Sequence, residues 1–345
     1  MLISVLDGKV NVLVARWLEE GYRSQIAAVD PRIQLFYVAE QIAAETKSPR
    51  LAIDRAPEER TGGDLDSLLR EAEVIYGLRF PANILERAPR LKWVQTSSAG
   101  VDTLVGTTLW QSDVILTNVS GIHTTQMREY VLGMMLMFVK HAHVYFANKQ
   151  DRVWKQHMSE QLCGKTLGVV GLGKIGEAVT RAAKAFDMRV VATRRYVTER
   201  ETSPVADTLY PADKLLQMLG ESDFVVVAVA LTDKTRKLIG ERELRAMKST
   251  AYIINIARGS VIDEAALTKA LKEKWIAGAG LDVFEKEPLP QGSELWSLPN
   301  VIITPHVAGV TPDYNARAMD VFCENLRRYL AGQPLMNVID RTRGY

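Results

Sequence analysis

Residues 166–176 read TLGVVGLGKIG. An apolar, strand-like run, TLGVV, leads into a GxGxxG turn, Gly171 to Gly176. The segment that follows has apolar residues at 175, 178, 179, 182, 183 and 186, with Glu177, Arg181 and Lys184 facing the other way. That is strand, tight turn and helix in the order a dinucleotide site needs, and the order gives weight to a motif that is weak alone. Gly171 permits the turn, Gly173 lets a pyrophosphate approach the backbone, and Gly176 lets the helix pack on the strand. The helix N-terminus adds partial positive charge, and Leu172, Lys174 and Ile175 complete the expected contact loop.

The next strand candidate, MRVVAT, runs into Thr193, Arg194 and Arg195. In NAD-binding units an Asp or Glu about twenty residues after the glycines accepts hydrogen bonds from the adenosine ribose. Here no carboxylate follows until Glu199. A carboxylate would repel a 2′-phosphate, whereas guanidinium groups bind one through charge-assisted, often bidentate hydrogen bonds. The expected cofactor is therefore NADP(H), with NAD(H) possible. The plainer alternative is a solvated arginine pair with no ligand.

Outward from this point, short apolar runs alternate with helix-period segments, which predicts an α/β chain with mostly parallel strands. NVLVA (11–15), IQLFYV (33–38), AEVIYG (72–77), KWVQT (92–96) and VILTN (114–118) are strand candidates before the glycine turn. Between 165 and 306 six more follow: TLGVV, MRVVAT, DFVVVAVA, YIINIA, AGAGLDV and VIITP. At 345 residues the chain has room for two domains. Residues 1–120 with 310–345 are expected to form one, because the last helix, YNARAMDVFCENLRRYL, is needed to cover the first sheet. Residues 121–309 form the dinucleotide-binding domain.

From residue 123 one long helix is predicted, HTTQMREYVLGMMLMFVKHAHVYFANK. Its apolar residues at 127, 130, 131, 134, 135, 138 and 145 are joined by a second set at 132, 136, 139 and 144. A helix apolar on nearly all sides needs cover on nearly all sides. Homodimerisation through the 123–147 helix would supply it, and a core helix within one domain is the alternative.

Composition sets outer limits. With 47% hydrophobic and 24% charged residues and a net charge of +2, nothing favours a nucleic-acid or membrane partner. Cys163 and Cys323 lie in no CxxC or His/Cys cluster, so neither a disulfide framework nor a metal site is expected. The N-terminal stretch does not read as a signal peptide, and VLGMMLMFV falls short of the ~20 residues that span a bilayer. A cytoplasmic location is expected.

Open doubly wound sheets bind ligands beyond the C-terminal ends of their strands. Arg258 follows YIINIA, Glu287 lies soon after AGAGLDV, and His306 directly follows VIITP. Each alone has a bland reading as a surface, loop or core residue, but together they are the parts for reducing a keto acid. Arg258 can orient a carboxylate or polarise a carbonyl, His306 can protonate the forming alkoxide, and Glu287 can hold the imidazole and favour its charged form. His123, His141, His143 and His157 have no such placement and read as structural. SSAG, with Ser98, Ala99 and Gly100, is a small-residue turn after a strand that can aim N–H groups at an anion.

The chain resembles the D-isomer-specific 2-hydroxyacid dehydrogenases. The likeness is dense in CGKTLGVVGLGKIG, ALTDKTRKLIGERELRAMKSTAYIINIARGSVIDEAAL, AGAGLDVFEKEPLP and NVIITPHVAG, and thinner in SSAGVD and NVID. It implies a Rossmann cofactor domain inserted into a discontinuous flavodoxin-like substrate domain, usually as a dimer. It implies the catalytic roles of Arg258, Glu287 and His306, and carboxylate binding by Ser98, Ala99 and Gly100 with Arg258. It also implies cofactor contacts by Ala257 and by Asp282 near the nicotinamide. Arg194, where many members carry the ribose-binding acid, implies the NADPH-preferring branch of glyoxylate and hydroxypyruvate reductases. The expected reaction takes a small 2-keto acid to a D-2-hydroxy acid. Ala230 departs from a proline common in the family, and YGLRFP matches no side-chain pattern, so the acid itself stays open. So do two rival readings: a cofactor-sensing, corepressor-like module without turnover, and a phosphoglycerate- or phosphite-type dehydrogenase.

Overall fold

VNVLVA and IIN are runs of β-branched and apolar residues with hardly a polar break, the pattern of strands buried on both faces. In the computed structural model, which describes residues 8–47, 64–201 and 203–345, such runs build two parallel sheets. The extreme N-terminal residues considered above for a leader, 1–7, lie outside the described residues.

The first sheet contains β1 (Val10–Ala15), β2 (Ile33–Tyr37), β3 (Val74–Gly77), β4 (Trp93–Thr96) and β5 (Ile115–Thr117), in spatial order β2-β1-β3-β4-β5. The chain moves outward in one direction from β1 and then in the other from β3. The ends of β1 and β3 therefore mark the switch point where such folds bind ligands. Helix Tyr314–Leu330 supplies the cover for one face. Phe322 lies 4.7 Å from the Tyr76 ring and 5.5 Å from Trp93, and Tyr329 lies 5.4 Å from Trp93. Truncating Phe322 to Ala would cost roughly 3–5 kcal/mol.

The second sheet contains β6 (Thr166–Val170), β7 (Arg189–Arg194), β8 (Thr208–Pro211), β9 (Phe224–Val227), β10 (Tyr252–Asn255), β11 (Gly278–Leu281) and β12 (Val301–Ile303). Its order is β12-β11-β10-β9-β6-β7-β8, with the switch point between β6 and β9. Apolar clusters fill both faces of each sheet. The chain divides into two compact units: residues up to Ile122 with Val310–Tyr345, and His123–Gly309.

Two sequence expectations need correction. TLYP at 208–211 forms a seventh strand of the second sheet, an edge strand too short and too irregular to announce itself. The helix expected as one piece from 123 is two, Thr124–Val139 and Ala142–Gln150, bent by 65°. The break is at His141, whose φ of +53° is left-handed and cannot continue a helix. Apolar periodicity runs straight through the break, which is why the sequence conceals it. Lys140 Nζ donates to Glu160 O, and His141 Nε2 lies 2.9 Å from Met158 O, so the returning segment holds the bend in place. Among the described residues no single helix is long and apolar enough to cross a membrane.

Candidate active site

The glycine turn follows β6, the strand beside the switch point. Gly171 has φ +99°, and a Cβ there would sit 2.6 Å from Val229 Cγ1 and 2.9 Å from Ala228 O. Conformation and crowding both demand glycine at that position. Gly176 is equally constrained, since its Cβ would lie 2.3 Å from Gly171 O, where helix Lys174–Lys184 presses on the turn. Gly173 is different: nothing lies within 4 Å of where its Cβ would be, and it is the N-cap of that helix. The open space sits at the positive end of an eleven-residue helix, a cradle that fits a diphosphate. Leu172 is buried and its N–H donates to Thr193 O at 3.1 Å, tying the turn to the end of β7. Ile175 packs on the core below, while Lys174 is exposed.

At that end of β7 Thr193 is buried and Arg194 and Arg195 are exposed. Arg200, a few residues on, lies over the Tyr210 ring and 4.0 Å from Glu221. Arg194 and Arg195 thus directly follow the residue that is tied to the glycine turn, which carries the exposed Lys174 itself.

Across the switch point the ends of β10, β11 and β12 bring Arg258, Glu287 and His306 to one edge. Buried Asn255 shapes the first of these turns, accepting from Ala257 N and donating to Arg258 O, both at 3.1 Å. Arg258 is half-buried and returns a hydrogen bond from Nη1 to Ala257 O at 2.8 Å. Gly259 then touches the loop after β11: a Cβ on it would lie 1.8 Å from Phe284 C and 2.0 Å from Phe284 O. Only glycine allows that approach, which brings the Arg258 turn against the Phe284–Glu287 loop. In that loop Phe284 N donates to Glu287 Oε1 at 3.0 Å, and Glu287 Oε2 meets His306 Nδ1 at 2.7 Å.

This pairing sets the charges. The hydrogen bond to Glu287 raises the pKa of His306 above its ordinary value. Burial works against this, the charges of Glu287 and Asp282 add to it, and Arg258 subtracts from it. Burial pushes Glu287 upward, but hydrogen bonds from His306 and Phe284 N, with the charges of His306 and Arg258, bring it below its ordinary value. With Nδ1 turned to the carboxylate, Nε2 of a protonated His306 is the nitrogen left to donate outward. His306 itself has φ +54°, a left-handed conformation that a non-glycine residue holds only when its surroundings enforce it. Asp282 is 1% exposed and enforces it: its main-chain oxygen accepts from His306 N at 2.8 Å, and its carboxylate accepts from Val307 N and Ala308 N, each at 2.9 Å.

In the first unit the SSAG turn follows β4. Ser97 N donates to Gly77 O at 2.7 Å, Ser97 Oγ accepts from buried Arg16, and Ser97 O accepts from Tyr314 Oη. Ser98 N, expected from sequence to face an anion, lies 3.3 Å from Thr96 Oγ1 within the turn. Ala99 O accepts from Asn118 Nδ2 at 3.1 Å. The neighbouring YGLRFP segment gives Arg79, Phe80 and Pro81 to a cavity of about 400 Å³ that Glu45, Thr103 and Thr107 also line. Ala230 O accepts from Thr235 Oγ1 at 2.7 Å in a tight turn.

The sequence reading missed Asn255 and Gly259. The signal for Gly259 was present, a glycine directly after the candidate arginine. For Asn255 there was only a polar residue ending an apolar strand. Among the described residues no cluster of three or more His, Cys, Asp or Glu could hold a metal ion.

Comparison with known proteins adds an independent line. A family model described as the D-isomer specific 2-hydroxyacid dehydrogenase NAD-binding domain matches residues 132–308. A glyoxylate reductase of Korarchaeum cryptofilum is 36% identical over 269 residues, covering 75% of this chain and 79% of that protein. A D-isomer specific 2-hydroxyacid dehydrogenase of Xanthobacter autotrophicus, solved with NADPH and MES, is 29% identical with a TM-score of 0.80, covering 98% of this chain and all of that one. An NADPH-dependent glyoxylate/hydroxypyruvate reductase of Sinorhizobium meliloti, solved with NADP and sulfate, is 26% identical with a TM-score of 0.79, again over 98% of this chain and 100% of the other.

Proposed function

This chain belongs to the D-isomer-specific 2-hydroxyacid dehydrogenase family, and from that premise we propose that it reduces a small 2-keto acid of the glyoxylate or hydroxypyruvate class to the D-2-hydroxy acid, preferring NADPH and able to use NADH. The observation that carries the reading is the 2.7 Å pairing of His306 Nδ1 with Glu287 Oε2 on the edge that also presents Arg258. The reduced nicotinamide, when bound, supplies a hydride for C2 of the substrate.

Everything else falls to side chains and amides of the protein. His306 donates its Nε2 proton to the carbonyl oxygen as that oxygen becomes an alkoxide, and Glu287 keeps the ring oriented and charged until it does. Arg258 orients the substrate carboxylate or polarises the carbonyl, and Ser98, Ala99 and Gly100 of the first unit are the proposed carboxylate-binding amides. Gly171, Leu172, Gly173, Lys174, Ile175 and Gly176 receive the pyrophosphate at the helix N-terminus. Arg194 and Arg195, next to Thr193, bind the 2′-phosphate, and the absence of an acid at the end of β7 favours the phosphorylated cofactor. Ala257 and Asp282 border the nicotinamide end. NADPH-bound relatives support the preference.

The exposed Phe146, with Val153, Trp154 and Met158 after the bend, supports a homodimer formed through the 123–147 region. The enzyme is proposed to work in the cytoplasm with a small-molecule substrate and with neither nucleic acid nor membrane as partner. The test is loss of reduced-nicotinamide absorbance with NADPH or NADH and, in turn, glyoxylate, hydroxypyruvate, pyruvate and a bulkier 2-keto acid. Faster consumption of NADPH with one of the small acids is expected. Tight NADPH binding without turnover of any acid would replace the reductase reading with a cofactor sensor.

A further inference from the structure

Asp282 does more than lie at the end of β11. Four hydrogen bonds wrap residues 304–308 around it: Thr304 Oγ1 donates to Oδ1 at 2.6 Å, Val307 N to Oδ1, Ala308 N to Oδ2, and His306 N to the main-chain oxygen. The left-handed residue in the middle of this wrap is His306. Its orientation therefore depends on where the Asp282 carboxylate is held.

Thr304 holds it from one side, and behind Thr304 stands Tyr130, on helix Thr124–Val139, with its Oη 2.5 Å from Thr304 Oγ1. A threonine hydroxyl has one hydrogen, and here it is spent on the carboxylate, so Tyr130 is the donor to Thr304. Burial, with the charge of Asp282, raises the phenol's pKa, which keeps it a donor across the working range. Thr304 has no acid or base chemistry to offer, and the Tyr130 hydroxyl is committed to Thr304. What they form is a directed chain from the core helix to the turn that carries the general acid.

We infer that Tyr130 and Thr304 are positioning residues for catalysis, fixing Asp282 and through it the turn that aims His306 at the keto oxygen and seats its Nδ1 on Glu287. This inference rests on the reductase reading above and assigns two residues to it. The charged groups facing His306 are Glu287, Arg258 and Asp282; the first and third raise its pKa and the second lowers it. A looser turn weakens the Glu287 hydrogen bond, the largest of these influences, and the His306 pKa falls with it.

The test compares wild type, Thr304→Val, Thr304→Ser and Tyr130→Phe. The readouts are steady-state reduction of the best keto acid across pH and an NMR titration of the His306 ring, assigned by its disappearance in His306→Gln. Thr304→Val, which keeps the shape and loses the hydroxyl, is expected to lower kcat roughly 10- to 100-fold, the scale of a slight misplacement of a reacting group. The His306 pKa should fall toward its ordinary value. Thr304→Ser should restore most of both, and Tyr130→Phe should move both in the same direction by less. Rates within twofold of wild type and an unchanged His306 titration in both Thr304→Val and Tyr130→Phe would overturn the inference. So would a Thr304→Ser as impaired as Thr304→Val, since the hydroxyl would then not be the operative group. The titration is read without turnover, so failure of the wild type to reduce any acid counts against the reductase reading and is told apart from failure of the positioning chain.

Discussion

The two ends of the candidate site are built on opposite plans. At the reacting edge every proposed group is fixed by neighbours: Arg258 by the Ala257 carbonyl and the Asn255-bonded turn, Glu287 by Phe284 N, His306 by Asp282 and Glu287. At the end of β7 the proposed phosphate contacts, Arg194 and Arg195, are exposed side chains beyond the last buried residue of a strand. The reacting groups, Glu287 and His306 exposed among them, are oriented by hydrogen bonds to the turns that carry them, whereas the arginines proposed to select the cofactor stand at an exposed strand end. A change in the first should disturb catalysis and local structure together; a change in the second should alter preference and leave the fold intact.

The largest effect that probes this contrast is expected from His306→Gln. Removal of the general acid should lower turnover roughly 100- to 10,000-fold, with NADPH binding, measured by fluorescence, nearly unchanged. Turnover within a few-fold of wild type would mean that another group supplies the proton. Arg194→Asp should come next. Exchange of a guanidinium for a carboxylate beside the 2′-phosphate should reduce NADPH efficiency roughly 10- to 100-fold relative to NADH, the scale of hydrogen bonds to charged groups. Equal losses with both cofactors would return the arginines to an ordinary solvated pair, and a drop in thermal stability would dissolve the contrast from the other side.

The smallest effect concerns pH. If His306 is the proposed proton donor, the rate falls as pH rises through the His306 pKa, which Glu287 holds up. In Glu287→Gln, which loses the carboxylate charge and weakens the hydrogen bond to Nδ1, that fall should move to lower pH. An unmoved profile would separate the ionisation of His306 from its carboxylate partner.

How much of this was readable in the chain follows from how local each signal is. GLGKIG and its flanks carry their own period and their own glycines, so strand, turn and helix could be read within a few residues. Arg258, Glu287 and His306 could be proposed from the chain because each closes or soon follows an apolar strand. The helix break at His141 was hidden because its cause is a backbone dihedral within an unbroken apolar pattern. β8 was hidden because four residues at a sheet edge have too little alternation to show. Gly259 and Thr304 needed the fold itself. Their reasons are the Phe284 backbone and the Asp282 carboxylate, 25 and 22 positions further along or back in the chain.

The helix Tyr314–Leu330 also has a meaning in time. Phe322 and Tyr329 complete a core whose other walls, Tyr76 and Trp93, are synthesised more than 200 residues earlier, and Tyr329 Oη reaches Glu73 Oε1 across 256 positions. On the ribosome the first sheet must therefore wait, with an apolar face uncovered, until the helix Tyr314–Leu330 has been made. The His123–Gly309 unit has no such debt and holds all its strands in one stretch. The strands Val10–Thr117 are thus translated before the His123–Gly309 unit but gain their covering helix only after it.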